Sequence, residues 1–253
     1  MKPTLLLEGK IAIITGAGRG IGRAIAVAYA NAGARVIVTD LTQDACAQTL
    51  AEVEACGAQA WAFGLDVTDA PACGRIADEV GRTIGDLDVL VNNAGLMIRE
   101  AVDSPRAHEA VRRLMDVNYF GTFNMIHAFL PALRKSRGCI INLASGAALT
   151  GLNGCVGYSP SKGAVKMLTQ AMANDLGKDG IRVNCIAPGV IHTAMTEATR
   201  NDPERLGRFM ARIPAGRLGR PEEIAGPAVF LASGLASYVN GITLAADGGK
   251  QAV

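Results

Sequence analysis

The stretch IAIITGAGRGIG, residues 11–22, decides the fold of this chain. An apolar run, IAIIT, passes directly into a glycine-rich turn, and a helical pattern follows the turn. Backbone N–H groups in such a turn lie beside the positive end of the helix dipole, where they favour a phosphate. Gly16 permits the tight turn, Gly20 lets the backbone approach a pyrophosphate, and Gly22 lets the helix and strand pack closely. The stretch therefore predicts the first half of a dinucleotide-binding βαβ unit.

The same alternation of strand and helix patterns continues along the chain. Short β-rich apolar runs lie between longer stretches with helical spacing, such as IGRAIAVAYANAG from Ile21 onward. Strands buried on both faces appear as continuous apolar runs, which is typical of a parallel sheet covered by helices. No linker or low-complexity tract interrupts the pattern, so we predict a single domain over residues 1–253, an α/β fold with a Rossmann-type doubly wound parallel sheet in three α/β/α layers. The predicted strands are 11–15, 35–40, 59–66, 88–93, 139–145, 181–189 and 241–248.

Two segments between the predicted strands have patterns of their own. Residues from about 104 to 135 predict one long helix. Residues from about 190 to 215 include Thr, Met, Glu, Arg and Pro but show little apolar periodicity, which predicts an excursion from the sheet. We interpret this excursion as a mobile substrate loop or lid.

Composition limits the class of partner. Apolar residues make up 49% of the chain and charged residues 19%, which is typical of a globular protein rather than a disordered one. The 25 basic and 23 acidic residues nearly cancel, and no basic cluster alternates with aromatic residues. A nucleic-acid partner is therefore not expected, and a small-molecule partner is.

The N-terminal stretch and the cysteines indicate the compartment. MKPTLLLEGK has too few apolar residues for a secretory signal, and no later stretch approaches the ~20 apolar residues of a membrane span. The six cysteines form no CxxC pair, and His108, His127 and His192 lack metal-ligand spacing. We therefore expect a cytoplasmic protein with free thiols, no membrane partner and no metal.

Asp40, at the end of the second predicted strand, bears on the choice of dinucleotide. Its carboxylate can accept hydrogen bonds from an unmodified ribose, whereas a 2′-phosphate would meet a like charge. Arg19, within the glycine turn, has the opposite effect, because a guanidinium can pair with that phosphate. Since Leu41 and not a basic residue follows Asp40, the sequence favours NAD over NADP.

The stretch YSPSK, residues 158–162, points to acid–base chemistry. Tyr158 and Lys162 are spaced to share one face of a helix, so the ammonium can lie beneath the phenol ring. A free tyrosine has a pKa of about 10, and a nearby cation lowers that pKa toward the value that a general base requires. Pro160 suits the first turn of a helix, where backbone N–H groups have no intrahelical partner. We therefore expect the helix to begin near Tyr158, with Tyr158 at the mouth of the site and Lys162 one turn deeper.

Ser145 ends the fifth predicted strand, at the edge where open α/β sheets bind ligands. A serine at a strand end is a common turn residue. In the company of Tyr158 and Lys162, we interpret its hydroxyl as the group that holds a substrate oxygen opposite Tyr158.

In order and spacing, these residues resemble the short-chain dehydrogenase/reductase (SDR) family over nearly the whole chain. The glycine turn and the set of Ser145, Tyr158 and Lys162 carry the resemblance, although the family more often has a small residue where Pro160 stands. The resemblance implies hydride transfer between a nicotinamide and a secondary alcohol or ketone, without a metal, by a homotetramer. Further matching motifs are Asp66 in GLDV, the run Asn92-Asn93-Ala94-Gly95, and Pro188-Gly189.

The resemblance also implies roles for single residues. Asn118 is implied to position a water that links Lys162 to solvent, although an asparagine in a helix interior otherwise marks a local bend. Asp66 and Val67 are implied to contact adenine, and Thr193 the nicotinamide amide or a phosphate. The cofactor-binding residues expected from the pattern and the resemblance together are Gly16, Arg19, Gly20, Ile21, Gly22, Asp40, Leu41, Asp66, Val67, Asn93, Ala94, Gly95, Tyr158, Lys162, Pro188, Gly189, Ile191 and Thr193.

The substrate is less well determined than the reaction. Most residues expected to line the pocket are apolar, which favours a hydrophobic or moderately polar secondary alcohol or ketone over a highly charged substrate. Asn153, His192 and Arg99 would instead suit a polyol. The expected pocket residues are Leu96, Ala147, Leu152, Asn153 and Met195, with Met97, Leu149 and Val156 as neighbours.

Three functions stay open at this point. The favoured one is an NAD-dependent secondary-alcohol dehydrogenase or ketone reductase. The alternative is an NADP-dependent 3-oxoacyl thioester reductase of the acyl-carrier-protein type, which the family also includes. A dinucleotide-sensing protein that has lost catalysis is disfavoured, because Tyr158 and Lys162 are both present.

Overall fold

The computed structural model describes residues 5–253, and within that range seven strands form one sheet. All neighbouring strands are parallel, and helices cover both faces, so the predicted doubly wound α/β fold is confirmed. The N-terminal part of the stretch considered as a secretory signal, residues 1–4, lies outside the described residues, and a single domain over 1–253 stays a prediction. The strands are β1 Ile11–Thr15, β2 Arg35–Asp40, β3 Ala60–Gly64, β4 Val89–Asn92, β5 Cys139–Leu143, β6 Arg182–Pro188 and β7 Thr243–Ala246.

The helices lie between the strands, as the alternating pattern predicts. Two of them begin after residues that satisfy free backbone N–H groups: Asp69 accepts a hydrogen bond from Ala72 N, and Asp202 accepts one from Arg205 N. The helices are α1 Gly20–Asn31, α2 Ala47–Ala55, α3 Ala70–Thr83, α4 Ala107–Met115, α5 Gly121–Ser136, α6 Tyr158–Leu176, α7 Glu197–Arg200, α8 Pro203–Met210 and α9 Glu222–Ala232.

The strand order, β3-β2-β1-β4-β5-β6-β7, reverses direction between β1 and β4. A crevice opens at the carboxyl ends of the strands at such a point, and ligands of open α/β sheets bind there. Side chains of β1 alternate between the two faces: Ala12 and Ile14 join one core cluster, and Ile11 and Ile13 join the other. Burial on both faces explains why β1 is a continuous apolar run.

The long helix predicted over about 104–135 is present as one helical stretch over Ala107–Ser136, but a π-helical turn that was not predicted lies within it. Helix α4 ends at Met115, a π-helical turn occupies Asp116–Phe120, and α5 begins at Gly121. By contrast, the expected start of α6 is confirmed: the helix begins at Tyr158, and Pro160 lies in its first turn.

The excursion after β6 contains the two short helices α7 and α8, and its action as a lid stays a prediction. All six cysteines are free thiols, and all but Cys56 are buried. None of the helices in residues 5–253 has the length and apolar character needed to cross a membrane. The cytoplasmic location stays a prediction.

Candidate active site

The glycine turn joins β1 to α1 in a conformation that requires glycine. Gly16 and Gly20 have positive φ angles of 60° and 59°, which residues with a Cβ rarely adopt. A Cβ on Gly16 would lie 2.9 Å from Ala94 Cα, so the turn packs directly on the chain that follows β4. A Cβ on Gly20 would meet only Thr193, at 3.5 Å from its Cγ2, so space remains between the turn and the chain after β6.

Gly22 allows the closest packing in the turn. A Cβ there would lie 2.5 Å from Asn93 Nδ2 and 2.6 Å from Gly16 O, both too short for a real contact. Asn93 Nδ2 itself donates hydrogen bonds of 2.9 Å to Thr15 O and to Gly16 O. Asn93 therefore ties the end of β4 to the glycine turn, and the missing side chain of Gly22 makes room for this contact.

A Gly22→Ala variant tests this packing. Alanine normally stabilises a helix interior by about 1 kcal/mol relative to glycine, but here the strain should dominate and lower the unfolding free energy by roughly 2 kcal/mol. Differential scanning calorimetry should show a Tm lower by about 4–8 °C. The matched control is Gly74→Ala in α3, where a Cβ meets nothing within 4 Å. Equal Tm values for the two variants would contradict the packing argument.

Asp40 holds the glycine turn against the end of β2. Its Oδ2 accepts a hydrogen bond of 2.9 Å from Gly18 N, and its Oδ1 accepts one of 2.9 Å from Leu41 N. Leu41 and Arg19 are exposed at the same edge. Within the described residues no ion pair or hydrogen bond engages the Arg19 side chain. The Asp40 carboxylate, which favours NAD, and the Arg19 guanidinium, which favours NADP, thus lie at the same edge of the glycine turn.

The turn after β3 is largely satisfied by its own contacts. Asp66 Oδ1 accepts hydrogen bonds from Thr68 N at 2.9 Å and from Thr68 Oγ1 at 2.8 Å. The backbone hydrogen bond from Thr68 is the main cause that lowers the pKa of Asp66. Val67 is buried, and its carbonyl accepts a hydrogen bond from Asn124 Nδ2. These are contacts of a turn, so the adenine contact expected of Asp66 and Val67 stays a prediction.

Asn118 lies in the π-helical turn between α4 and α5 and is fully buried. Its side chain accepts a hydrogen bond of 2.9 Å from Leu96 N and donates to Leu96 O at 3.1 Å and to Ser161 Oγ at 2.9 Å. Its carbonyl accepts a hydrogen bond of 2.8 Å from Thr122 Oγ1. Asn118 therefore fastens the chain after β4 to α6, and its link to a water stays a prediction.

Gly95 brings Asn118 and Lys162 together. A Cβ on Gly95 would lie 2.9 Å from Asn118 Oδ1 and 3.2 Å from Lys162 Nζ. Ala94, next to it, donates its backbone N–H to Thr15 Oγ1 at 3.0 Å. The chain after β4 thus passes between the glycine turn and α6.

Ser145, Tyr158 and Lys162 line one cavity at the carboxyl edge of the sheet. Ser145 Oγ accepts a hydrogen bond of 3.1 Å from Ala147 N, which fixes the turn after β5. Lys162 Nζ donates to Leu143 O at 2.7 Å. Tyr158 and Lys162 are only 7% and 6% exposed, so the expectation of Tyr158 at the mouth is wrong. Tyr158 lies within the cavity wall because the first turn of α6 packs beneath the segment that follows β5.

The electrostatics of the pair also differ from the expectation. Burial raises the pKa of Tyr158, and the neighbouring Ser145 hydroxyl lowers it. The Arg99 guanidinium also lowers the pKa of the phenol. Burial lowers the pKa of Lys162 to about 8, since the charged form loses its hydration. The lysine is therefore poised to change charge near neutral pH.

The other expected residues fall in different places. Leu96 does not line the cavity, because its backbone pairs with Asn118 and its side chain packs in a cluster with Tyr158. Asn153 lines a second, outer cavity, and His192 is exposed beside Arg200, with Nε2 2.9 Å from Nη1. The expected residues that line the inner cavity are Ile21, Asn93, Gly95, Met97, Arg99, Ser145, Ala147, Leu152, Tyr158, Lys162, Pro188, Gly189, Ile191, Thr193 and Met195.

Several residues of the inner cavity belong to no motif of the sequence. Phe209 comes from α8, and Lys250 from the chain after β7. No local motif marks either one, and only the return of the chain after β7 brings Lys250 to the site. No cluster of three or more His, Cys, Asp or Glu side chains in the described part of the chain could hold a metal ion.

Three features occur together here: the glycine turn, the set of Ser145, Tyr158 and Lys162, and the crevice between β1 and β4. This combination is typical of oxidoreductases that use a nicotinamide dinucleotide. A family model described as enoyl-(acyl carrier protein) reductase matches residues 16–251. The 7α-hydroxysteroid dehydrogenase of Escherichia coli (strain K12) is 39% identical over 248 residues, covering 97% of this chain and 95% of the relative. The chain belongs to the short-chain dehydrogenase/reductase family of oxidoreductases.

Two solved structures show how close the fold is. A 7α-hydroxysteroid dehydrogenase complexed with NADH and 7-oxoglycochenodeoxycholic acid has a TM-score of 0.92 and 39% identity, and covers 97% of this chain and 96% of that one. A gluconate 5-dehydrogenase from Burkholderia cenocepacia J2315, in complex with NADP and tartrate, has a TM-score of 0.94 and 35% identity over 99% and 98% of the two chains. The family therefore includes both NADH and NADP complexes.

Proposed function

We propose that this protein is an NAD-dependent oxidoreductase that transfers hydride between a nicotinamide and a secondary alcohol or ketone. The observation that carries the proposal is that Tyr158, Ser145 and Lys162 line the same cavity as Ile21 and Thr193, which flank the glycine turn. Tyr158 is the general base in alcohol oxidation and the general acid in ketone reduction. Ser145 steers the substrate oxygen toward Tyr158.

The residues at the crevice fit a dinucleotide. The N-terminus of α1 and the space at Gly20 suit a pyrophosphate, and the Asp40 carboxylate lies at the rim where a ribose would bind. Asn93, Pro188, Gly189 and Thr193 would hold the remainder. A bound nicotinamide supplies the hydride acceptor or donor, so the protein contributes position and electrostatics.

Side chains of α6 carry out the proton transfer. Tyr158 must release its proton in a site where burial disfavours the phenolate, so cations near the ring are needed in the reacting state. Arg99 is one such cation, and Lys162 in its charged form is another, one helical turn away. Lys162 also donates a hydrogen bond to Leu143 O, and in this proposal it binds the ribose of the cofactor as well. Asn118 keeps Leu96 and Ser161 in place around this pair.

The most direct test is a substrate panel. The enzyme is assayed with secondary alcohols and NAD⁺ or NADP⁺, and with ketones and NADH or NADPH, by the absorbance of the reduced cofactor. We expect turnover of at least one alcohol–ketone pair and a higher kcat/KM with the NAD form. Turnover restricted to 3-oxoacyl thioesters with NADPH would establish the second candidate, an NADP-dependent 3-oxoacyl thioester reductase. The exposed Arg19 at the glycine turn is the observation that favours that candidate.

The cofactor preference can be tested at Asp40. Removal of its charge in Asp40→Ser relieves the repulsion of a 2′-phosphate, so the ratio of kcat/KM for NAD over NADP should fall roughly 10- to 100-fold. Most of the change should be a lower KM for NADP. Asp44→Ser, at an exposed acid four residues further on, is the matched control. An unchanged ratio in the Asp40 variant would show that this carboxylate does not select the cofactor.

We also propose that the protein is a homotetramer, as its resemblance implies. Phe120, Phe123 and Met167 lie exposed around α5 and α6, and exposed apolar side chains of this size are typical of an interface. Light scattering coupled to gel filtration measures the assembly. A monomeric mass at micromolar concentration would contradict this proposal and would leave the proposed chemistry unaffected.

A further inference from the structure

The inner cavity adjoins a larger outer cavity with a volume of ≈ 940 Å³. Four residues line both cavities and mark their junction: Arg99, Leu152, Phe209 and Lys250. Leu152 and Phe209 are apolar, whereas Arg99 and Lys250 are cations. A substrate with its reacting carbon at Tyr158 would therefore place its other end between two positive charges.

Lys250 is the most unusual residue at the junction. It is 6% exposed, and its Nζ lies 5.7 Å from the centroid of the Phe209 ring. No acceptor in residues 5–253 takes a hydrogen bond from this ammonium, and Lys250 lines both cavities. Burial is the main cause that lowers its pKa, and the charge of Arg212 lowers it further.

Asp247 is the acid closest in sequence to Lys250, but its carboxylate is engaged elsewhere. Its Oδ1 accepts a hydrogen bond of 3.0 Å from Gly249 N, and its Oδ2 accepts one of 2.9 Å from Gln251 N. Asp247 raises the pKa of Lys250 through its charge, but no hydrogen bond joins the two side chains in the described structure. The Lys250 ammonium is therefore left to bind an external acceptor.

The remaining charges of the outer cavity divide into paired and unpaired groups. Arg205 pairs with Asp202 at 3.4 Å, and Arg208 pairs with Glu204 at 2.7 Å. Arg212 has no ion pair or side-chain hydrogen bond to any residue of the described range. Arg212, which is exposed, and Lys250 therefore make no ion pair with an acid in the described structure.

Arg99, the other cation at the junction, has no acid paired with it either. Arg99 donates only to Cys155 Sγ, at 3.6 Å, and a thiol is a weak acceptor. Glu100 is the acid that lines the outer cavity, and it is already bound by Arg106 at 2.7 Å and by the Ser104 hydroxyl at 2.5 Å. Arg99 thus faces the junction with its guanidinium uncompensated.

We propose that Lys250, Arg99 and Arg212 form a binding site for a carboxylate of the substrate, so that the protein acts on hydroxy acids and the corresponding oxo acids. This inference rests on the proposed function, since it names the substrate class of the same site. The carboxylate binds at the junction while the carbinol carbon lies at Tyr158. Charge-assisted hydrogen bonds from a buried lysine and an arginine orient the substrate. The apolar inner wall, which favours an uncharged substrate, contacts only the carbon chain.

The test measures binding rather than turnover, so it needs no knowledge of the natural substrate. Isothermal titration calorimetry on the full chain with saturating NADH compares sodium tartrate with erythritol, and sodium gluconate with sorbitol, at ionic strength held constant with NaCl. Glycerol 3-phosphate against glycerol distinguishes a phosphate from a carboxylate. We expect Kd for the acids to be at least about tenfold lower than for the matched polyols.

Three variants assign the binding to the junction. Lys250→Met removes the charge at nearly constant volume and should raise Kd for the acids at least about tenfold, whereas Lys250→Arg should retain binding. Arg208→Gln, which removes a guanidinium already paired with Glu204, is the control and should leave Kd unchanged. Acids that bind no better than polyols, or a Lys250→Met variant that binds them as the wild type does, would overturn the proposal. Lys250-dependent binding of glycerol 3-phosphate alone would overturn the carboxylate assignment.

The same titrations separate this inference from the proposed function. Tyr158→Phe should leave the ratio of Kd for the acids to Kd for the matched polyols unchanged, because both ligands lose the same contact. Failure of the proposed function would appear as no binding of NADH or no turnover across the substrate panel. Failure of this inference alone would appear as turnover of neutral alcohols without preference for their acid analogues.

Discussion

Replacement of Tyr158 with phenylalanine should lower kcat by roughly 10³-fold, the largest effect expected from a single change in this protein. The change removes one hydroxyl from a side chain that is 7% exposed and lines the cavity with Ser145. Without it, no group of the protein at this position can exchange a proton with the substrate oxygen. The rate is measured by cofactor absorbance with a pair found in the substrate panel.

The phenylalanine variant should remain folded and bind cofactor. Burial raises the pKa of Tyr158, so the protein holds this phenol in its neutral form, and phenylalanine fills nearly the same volume. Calorimetry and NADH fluorescence check fold and binding, and Tyr238→Phe, at a fully exposed tyrosine, is the matched control. If Tyr158→Phe retains the wild-type rate, general acid–base catalysis by this residue is excluded.

Replacement of Lys162 with methionine should lower kcat/KM by roughly 10²-fold or more. The change removes a cation one helical turn from Tyr158 and breaks the hydrogen bond from Nζ to Leu143 O. Both the electrostatic support of the phenolate and a contact to the cofactor ribose should be lost. The effect should therefore appear in kcat and in KM for the cofactor, measured in the same assay.

The Lys162→Met variant should be less active than the wild type but have a higher free energy of unfolding. Burial lowers the pKa of Lys162 to about 8 from an ordinary value of 10.5. Below about pH 8 the amine is charged in both the folded and the unfolded chain, and its burial lowers the unfolding free energy by about 3 kcal/mol. The lost hydrogen bond to Leu143 O offsets about 1 kcal/mol of the gain in the methionine variant. At pH 7 the variant should therefore be more stable than the wild type.

The stability difference between Lys162→Met and the wild type should depend on pH. Between about pH 8 and pH 10.5 the unfolded chain binds more protons than the folded one, so the wild type gains stability as the pH rises. The advantage of Lys162→Met should shrink over that range, as measured by urea unfolding at pH 7 and pH 10. Lys166→Met, one turn further along α6, is the control. A Lys162→Met variant less stable than wild type at pH 7 would contradict the cost assigned to this buried amine.

Much of the fold could be predicted because its signals are local. β1 and β2 have the predicted bounds, 11–15 and 35–40, since their apolar runs end abruptly at a glycine turn and at an acid. The other strands are two to four residues shorter than predicted, because the predicted ranges include flanking polar residues and glycines, such as Asn93 and Gly248, that lie outside the strands. Pro160 is also a local signal: its fixed φ suits the first turn of a helix, and it predicted the start of α6 correctly.

Local signals failed where long-range contacts decide the backbone. The pattern from about 104 to 135 is helical throughout, yet a π-helical turn at Asp116–Phe120 interrupts it. The Asn118 side chain bonds to Leu96 and Ser161, and those partners lie 22 and 43 residues away in the chain. Helical periodicity contains no information about such partners.

The amino-acid sequence by itself determined the strand and helix alternation, the glycine turn, and the spacing of Tyr158 and Lys162, because each depends on neighbours within one or two turns. The tertiary structure alone decided that Tyr158 is buried, that its neighbouring lysine has a pKa of about 8, and that Lys250 reaches the same cavity from the end of the chain. Burial and charge depend on what packs around a group, and here those neighbours come from strands and loops distant in sequence.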